Sequence, residues 1–138
     1  MQLTRTNLQA LALEKRDDAR LLFEHGRWSN AYYLYGYAVE LALKACVARK
    51  FLADTIPDKK LVLQTYTHRI ADLIALAELK TELVVKRQNE KFTTRWGIVE
   101  EWSEEARYAM HEESLARGML DAVEDQEFGV FQWIAGFW

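Results

Sequence analysis

Residues 30–45 read NAYYLYGYAVELALKA, and the fold turns on how that stretch is patterned. Asn30, Tyr33, Tyr37, Glu40 and Lys44 are separated by three, four, three and four positions, a spacing that stacks their side chains in one row along a helix. The other directions carry Ala31, Leu34, Ala38, Val39, Leu41 and Leu43. A helix this apolar most of the way round is expected at the centre of a bundle. Glu40 and Lys44 then have two readings. They form an intrahelical pair on the solvent side, worth a few tenths of a kcal/mol, or they border a cleft, where desolvated charges need partners to escape a penalty of several kcal/mol. The rest of the chain offers Arg107, His68 and Arg69 as partners.

Working outward, Leu8, Leu11, Ala12, Ala19, Leu22 and Phe23 repeat at helical spacing with Lys15 as an interruption, and His25 and Gly26 end that first helix. Ser29 or Asn30 is the expected cap of a second helix running to about Ala53, where DTIPDKK interrupts it at Pro57. Thr67 is the expected cap of a third helix carrying Ile70, Leu73, Ile74 and Ala77, and a fourth is expected over Thr81 to Phe92. FTTRWGIVEEWSEEARYAMHEES is harder to place: Gly97 weakens a continuous helix while the Glu and Ala content favours one. Leu115, Met119, Ala122 and Val123 restore a helical stripe, and Gly129 separates it from VFQWIAGFW. The fold class is all-α: an antiparallel bundle of five or six helices with short connections, forming a single domain over residues 1–138.

A chain of 138 residues, half of them apolar and only one a proline, is long enough to bury about two thirds of its unfolded surface. Eighteen basic against twenty-one acidic residues give no overall pull toward nucleic acid, so any phosphate site must be local. The lone Cys46 fills core volume and fits a reducing cytoplasm. The charged N-terminus argues against a signal peptide, and no apolar run reaches membrane-spanning length, so a cytoplasmic protein without membrane association is expected. One cysteine and three scattered histidines provide no metal-ligand spacing. Nor is there a glycine-rich phosphate loop or a serine in a nucleophile elbow, and no cofactor is expected. Trp96, Trp102, Trp133 and Trp138 crowd the last third; core packing is their default role, as a lid or against a second subunit.

The stretch GRWSNAYYLYGYAVELALKA, with Leu21 and Leu22 ahead of it, resembles the early helices of the HEPN family, the higher-eukaryote and prokaryote nucleotide-binding domains. THRIADL is similar to the family's Thr, His, Asp, Leu turn, and EEARYAM stands where many members carry Arg, Tyr, Pro, Asp, with Ala109 and Met110 in place of the last two. The similarity runs in order from about Asp18 to about Asp125.

That resemblance implies a helical module binding a nucleotide or RNA phosphate, non-catalytic or weakly catalytic, acting as a homodimer. Asn30, Tyr33, Tyr37, Glu40, Lys44 and His68 are the candidate ligand-binding residues, with Arg107 in the same cleft. Members that cleave RNA without a metal carry Arg, four to six residues, then His, from each of two subunits. Histidine there takes the 2'-hydroxyl proton while arginine holds the charge developing on phosphate. Arg107 and His111, with three residues between them, are the candidate catalytic pair of that alternative, a toxin or phage-defence endoribonuclease; one continuous helix would put both on one face. Surface pairing, of Arg107 with Glu104 for instance, is the other reading of these two. Arg20 and His25 have four residues between them but fall on helix one, away from the family's motif, and are set aside. A third reading is a scaffold subunit of a two-component system, partnering a nucleotidyltransferase through the tryptophan-rich end.

Overall fold

The computed structural model describes residues 3–138, which form eight α-helices, one 3-10 turn and no strand. Helix α1 spans Arg5–Glu24 and starts at Thr4, whose hydroxyl accepts the Asn7 amide. Its apolar stripe puts Leu8, Ala12 and Ala19 in the core. Gly26, at φ 73°, reverses the chain after it. The Gly26 amide donates to the Phe23 carbonyl and the Arg27 amide to that of Leu22, the paired bonds of a Schellman ending, in a conformation that favours glycine. So short a turn lays helix α2, Trp28–Ala48, antiparallel against α1.

Helix α2 is the centre of the bundle. Thirteen of its 21 residues are buried, and around it stand α1, helix α4 (Ile70–Leu76), a 3-10 turn at Glu104–Tyr108, helix α7 (Glu113–Glu124) and helix α8 (Val130–Ala135). Helix α6 (Glu90–Glu100) packs on α7 and α8 through Phe92, Trp96 and Val99, buried at spacings of four and three. That stripe carries the helix through Gly97, whose cost is only about 1 kcal/mol. Helices α3 (Lys59–Gln64) and α5 (Lys80–Lys86) bury no residue and lie at the periphery.

Two carboxylates lock the helices together. Glu124 on α7 accepts a hydrogen bond from the hydroxyl of Tyr35, which is fully buried on α2, and is gripped by the Arg20 guanidinium of α1, with Nε 3.0 and 3.1 Å from its oxygens. Burial, then Glu124, pushes the Tyr35 phenol well above its ordinary range. Asp125 accepts the amides of Glu127 and Phe128 and pairs with Arg95 of α6 at 2.8 Å, which fixes the turn into α8.

The all-α expectation holds, with eight helices where five or six were expected. One addition is α3, which begins on the last two residues of DTIPDKK and fills the span before Thr67, where no helix was expected. Another comes from division of the expected helix over Thr81–Phe92: α5 stops at Lys86, and Asn89 caps α6 by accepting the Phe92 amide at 3.0 Å. Helix α2 starts at Trp28 and ends at Ala48, five residues short of the expected end, because the Lys50 and Phe51 amides tighten onto the carbonyls three residues back. Neither Ser29 nor Asn30 caps it: Arg27 holds the cap position without a side-chain bond. Thr67 does not cap α4 either; its oxygen accepts the Arg69 amide and its hydroxyl reaches Asp72. The late tryptophans divide among three places, Trp138 meeting Phe131 edge to face at 5.6 Å. Trp96 and Trp133 meet edge to face beside Phe92 and Phe137, whereas Trp102 lies on α2.

Candidate functional site

The polar row of α2 has a buried carboxylate at its middle. Glu40 is 1% exposed, the sole buried charged side chain among the described residues. One oxygen lies 3.0 Å from His68 Nδ1, and the other 3.5 Å from Lys44 Nζ, one turn further along the helix. His68 sits in the short connection that enters α4, so the pair ties that connection to the central helix. Burial pushes the Glu40 pKa up; the Lys44 ammonium and then His68 pull it down, and burial prevails. The solvent-side reading of Glu40 and Lys44 therefore fails, because the Glu40 carboxylate is held out of water and against partners. Of the three partners expected for it, His68 is engaged, Arg69 faces Asp72 at 3.8 Å, and Arg107 joins the row elsewhere.

Toward the start of α2 the row becomes aromatic. Tyr33 lies between Tyr37 and Trp102, its ring centroid 6.0 and 6.1 Å from theirs and the planes within 30° of parallel. Tyr37 is half-buried, and burial first, with the Glu40 charge second, raises its pKa. Arg107 is exposed on the 3-10 turn, 4.9 Å above the Tyr108 ring. Interactions with Tyr108 and, more weakly, Tyr33 raise its pKa further. Arg107 thus meets the row at Tyr33. At 1.5 Å of rise per residue, Lys44 stands about 16 Å further along the axis. The row has a cation near each end and a buried carboxylate between.

Asn30 and His111 belong to a different place. Asn30 is exposed and, with Arg27, Ser29, Met110 and His111, lines a cavity of about 270 Å³ at the start of α2. The His111 amide donates to Ser29 Oγ at 2.7 Å, and the imidazole lies 4.5 Å from the Tyr32 ring. The continuous helix that would align Arg107 with His111 does not form. Arg107 is in the 3-10 turn, Ala109 is extended at φ −112° and ψ 150°, and His111 precedes α7. Tyr32 and Tyr33, which receive them, are adjacent on α2 and point about 100° apart.

Trp102 and Tyr108 belong to this face without having been singled out for it. The signal for Trp102 was Gly36, a glycine inside a helix otherwise free of breakers, which marks a close approach. A Cβ on Gly36 would fall inside the van der Waals envelope of Cδ1, Cε2 and Nε1 of the Trp102 indole. Among the described residues no group of three or more His, Cys, Asp or Glu side chains is placed to hold a metal ion, and no helix is long and apolar enough to cross a membrane.

An all-helical bundle around a central helix, with one polar row holding a buried Glu, a Lys and a His from the next connection, defines the class. A family model, the HEPN domain, matches residues 8–127, and the chain belongs to that family. No curated protein and no solved structure matches it.

Proposed function

We propose that residues 1–138 act as one HEPN module that binds a nucleotide or an RNA phosphate along the polar row of α2, as a cytoplasmic homodimer, non-catalytic or weakly catalytic. HEPN domains are in general associated with nucleotides or RNA. The observation that carries the reading is Glu40, kept out of water at 1% exposure between Lys44 and His68. Burying a carboxylate there is costly, and an apolar side chain of similar size would fill the space at lower cost. Its retention makes sense where it orients Lys44 and His68 toward a ligand. Tyr33, Tyr37 and Arg107 supply a stacking surface and a second cation for a base and a phosphate. Tyr108 and Met110, 75% and 92% exposed beside Arg107, offer the apolar surface through which a second copy would pack.

Calorimetry with ATP and with a short RNA in EDTA tests the reading. Heat of binding that disappears in Lys44→Ala and Arg107→Ala, both still folded, is expected; absence of binding by either ligand refutes it. The same incubation is expected to leave RNA intact. Cleavage lost in His111→Ala would replace this reading with the endoribonuclease one, and a co-purifying nucleotidyltransferase in the absence of ligand binding would replace it with the scaffold one.

A further inference from the structure

We propose a second site, between the last turns of α2 and the residues that follow α3, which binds a small carboxylate with an apolar tail. A cavity of about 200 Å³ opens there, with Leu8, Val47, Phe51, Thr65 and Tyr66 among its walls. Lys44 is the one charged side chain among the described residues that line it. Leu8 and Val47 are 4% and 3% exposed, so the floor is closed core surface. None of Tyr33, Tyr37 or Arg107 lines the cavity; Lys44 is shared with the row proposed for RNA, and Ala48→Phe, outside that row, separates the two sites.

The chemistry of the walls selects the ligand. An ammonium has three donors and no acceptor. At 3.5 Å, Glu40 holds the Lys44 Nζ loosely, and His68 remains on the other Glu40 oxygen if Lys44 turns toward a ligand. A carboxylate, which only accepts, matches Lys44 and the phenol of Tyr66, itself 65% exposed at the rim. An amine would face Lys44 as a like charge, and an alcohol would forgo the charge-assisted bond. The apolar walls and about 200 Å³ of space suit a short tail such as that of hexanoate.

Titration of the full chain with hexanoate, followed through the methyl resonances of Leu8 and Val47, tests the site. Hexanol and hexylamine serve as controls. Saturable shifts with hexanoate are expected, with hexanol at least about tenfold weaker, the factor a charge-assisted bond contributes. Lys44→Met should lose a similar factor. Ala48→Phe, on the cavity wall at the end of α2, should fill the space and abolish binding while leaving Lys44 in place. The proposal is overturned if hexanoate produces no saturable shift, if hexanol binds as well, or if either folded variant binds hexanoate like the parent. Should Lys44→Met fail to fold, the hexanol comparison and Ala48→Phe decide.

Discussion

Gly36→Ala is the sharpest test of how the 3-10 connection seats on α2. On an open helix the change stabilises, because alanine is favoured over glycine by about 1 kcal/mol in a helix interior. Here the new methyl collides with the Trp102 indole, whereas carbon atoms rest about 3.5–4.0 Å apart. Trp102 is 3% exposed and stacked on Tyr33, so it cannot swing aside without carrying the connection to Tyr108 with it. Overpacking of this kind costs about 1–3 kcal/mol, and the upper part of that range applies because the obstacle is a rigid ring. After the helix-propensity gain, a net loss of about 1–2 kcal/mol remains, or roughly 4–8 °C in melting temperature for a chain of this length. Thermal unfolding followed by circular dichroism measures it. The control is the same substitution made on a Trp102→Ala background. That background alone loses about 3–5 kcal/mol, but within it Gly36→Ala should become stabilising. If Gly36→Ala raises the melting temperature in the parent, or lowers it equally in both backgrounds, the packing described for Trp102 is wrong.

Three further outcomes follow from other parts of the molecule. Burial raises the folded pKa of Glu40 above its ordinary 4.5, so the folded state keeps the proton after the unfolded chain has released it. This contribution to stability is complete below about pH 4.5 and is lost as pH rises through the folded value; Glu40→Gln should match the parent near pH 4 and exceed it in denaturant midpoint near pH 7, and a variant weaker at both would contradict the assignment. Glu124→Ala leaves the buried Tyr35 hydroxyl without its acceptor and should cost about 2–3 kcal/mol, while adding Tyr35→Phe should recover part of that, a coupling that urea denaturation of the double-mutant cycle would reveal. Cys46 is 1% exposed and burial pushes its thiol up to about 11, so at pH 8 about a thousandth is thiolate; Ellman's reagent should label it only in denaturant, and rapid labelling of the native protein would refute its placement.

The first two helices were legible because their determinants are local. The spacing of Leu8, Ala12 and Ala19 and the left-handed Gly26 specify a hairpin without reference to the rest of the chain. The centrality of α2 was equally plain, since a helix apolar on nearly every side has nowhere else to lie. His68 as a partner of Glu40 was within reach because a buried carboxylate needs a cation or a hydrogen-bond donor, which His68 supplies. The 3-10 turn was not legible. Glu104, Glu105 and Ala106 favour helix by composition, but Trp102 has to settle on Gly36, and the extended Ala109 then separates Arg107 from His111. The Ser29 contact with His111 joins residues 82 positions apart and competes with a cap that local chemistry favours. The division at Asn89 has a local determinant, a capping residue within the expected helix.

The burial of α2 also restricts how this face can diversify. With core neighbours on most sides, substitutions along it disturb packing first. Substitution has freer ground at Arg107, Tyr108 and Met110, all exposed on the stretch from the 3-10 turn toward α7. A designer varying the module's surface should leave the Glu40 row intact and randomise that arm.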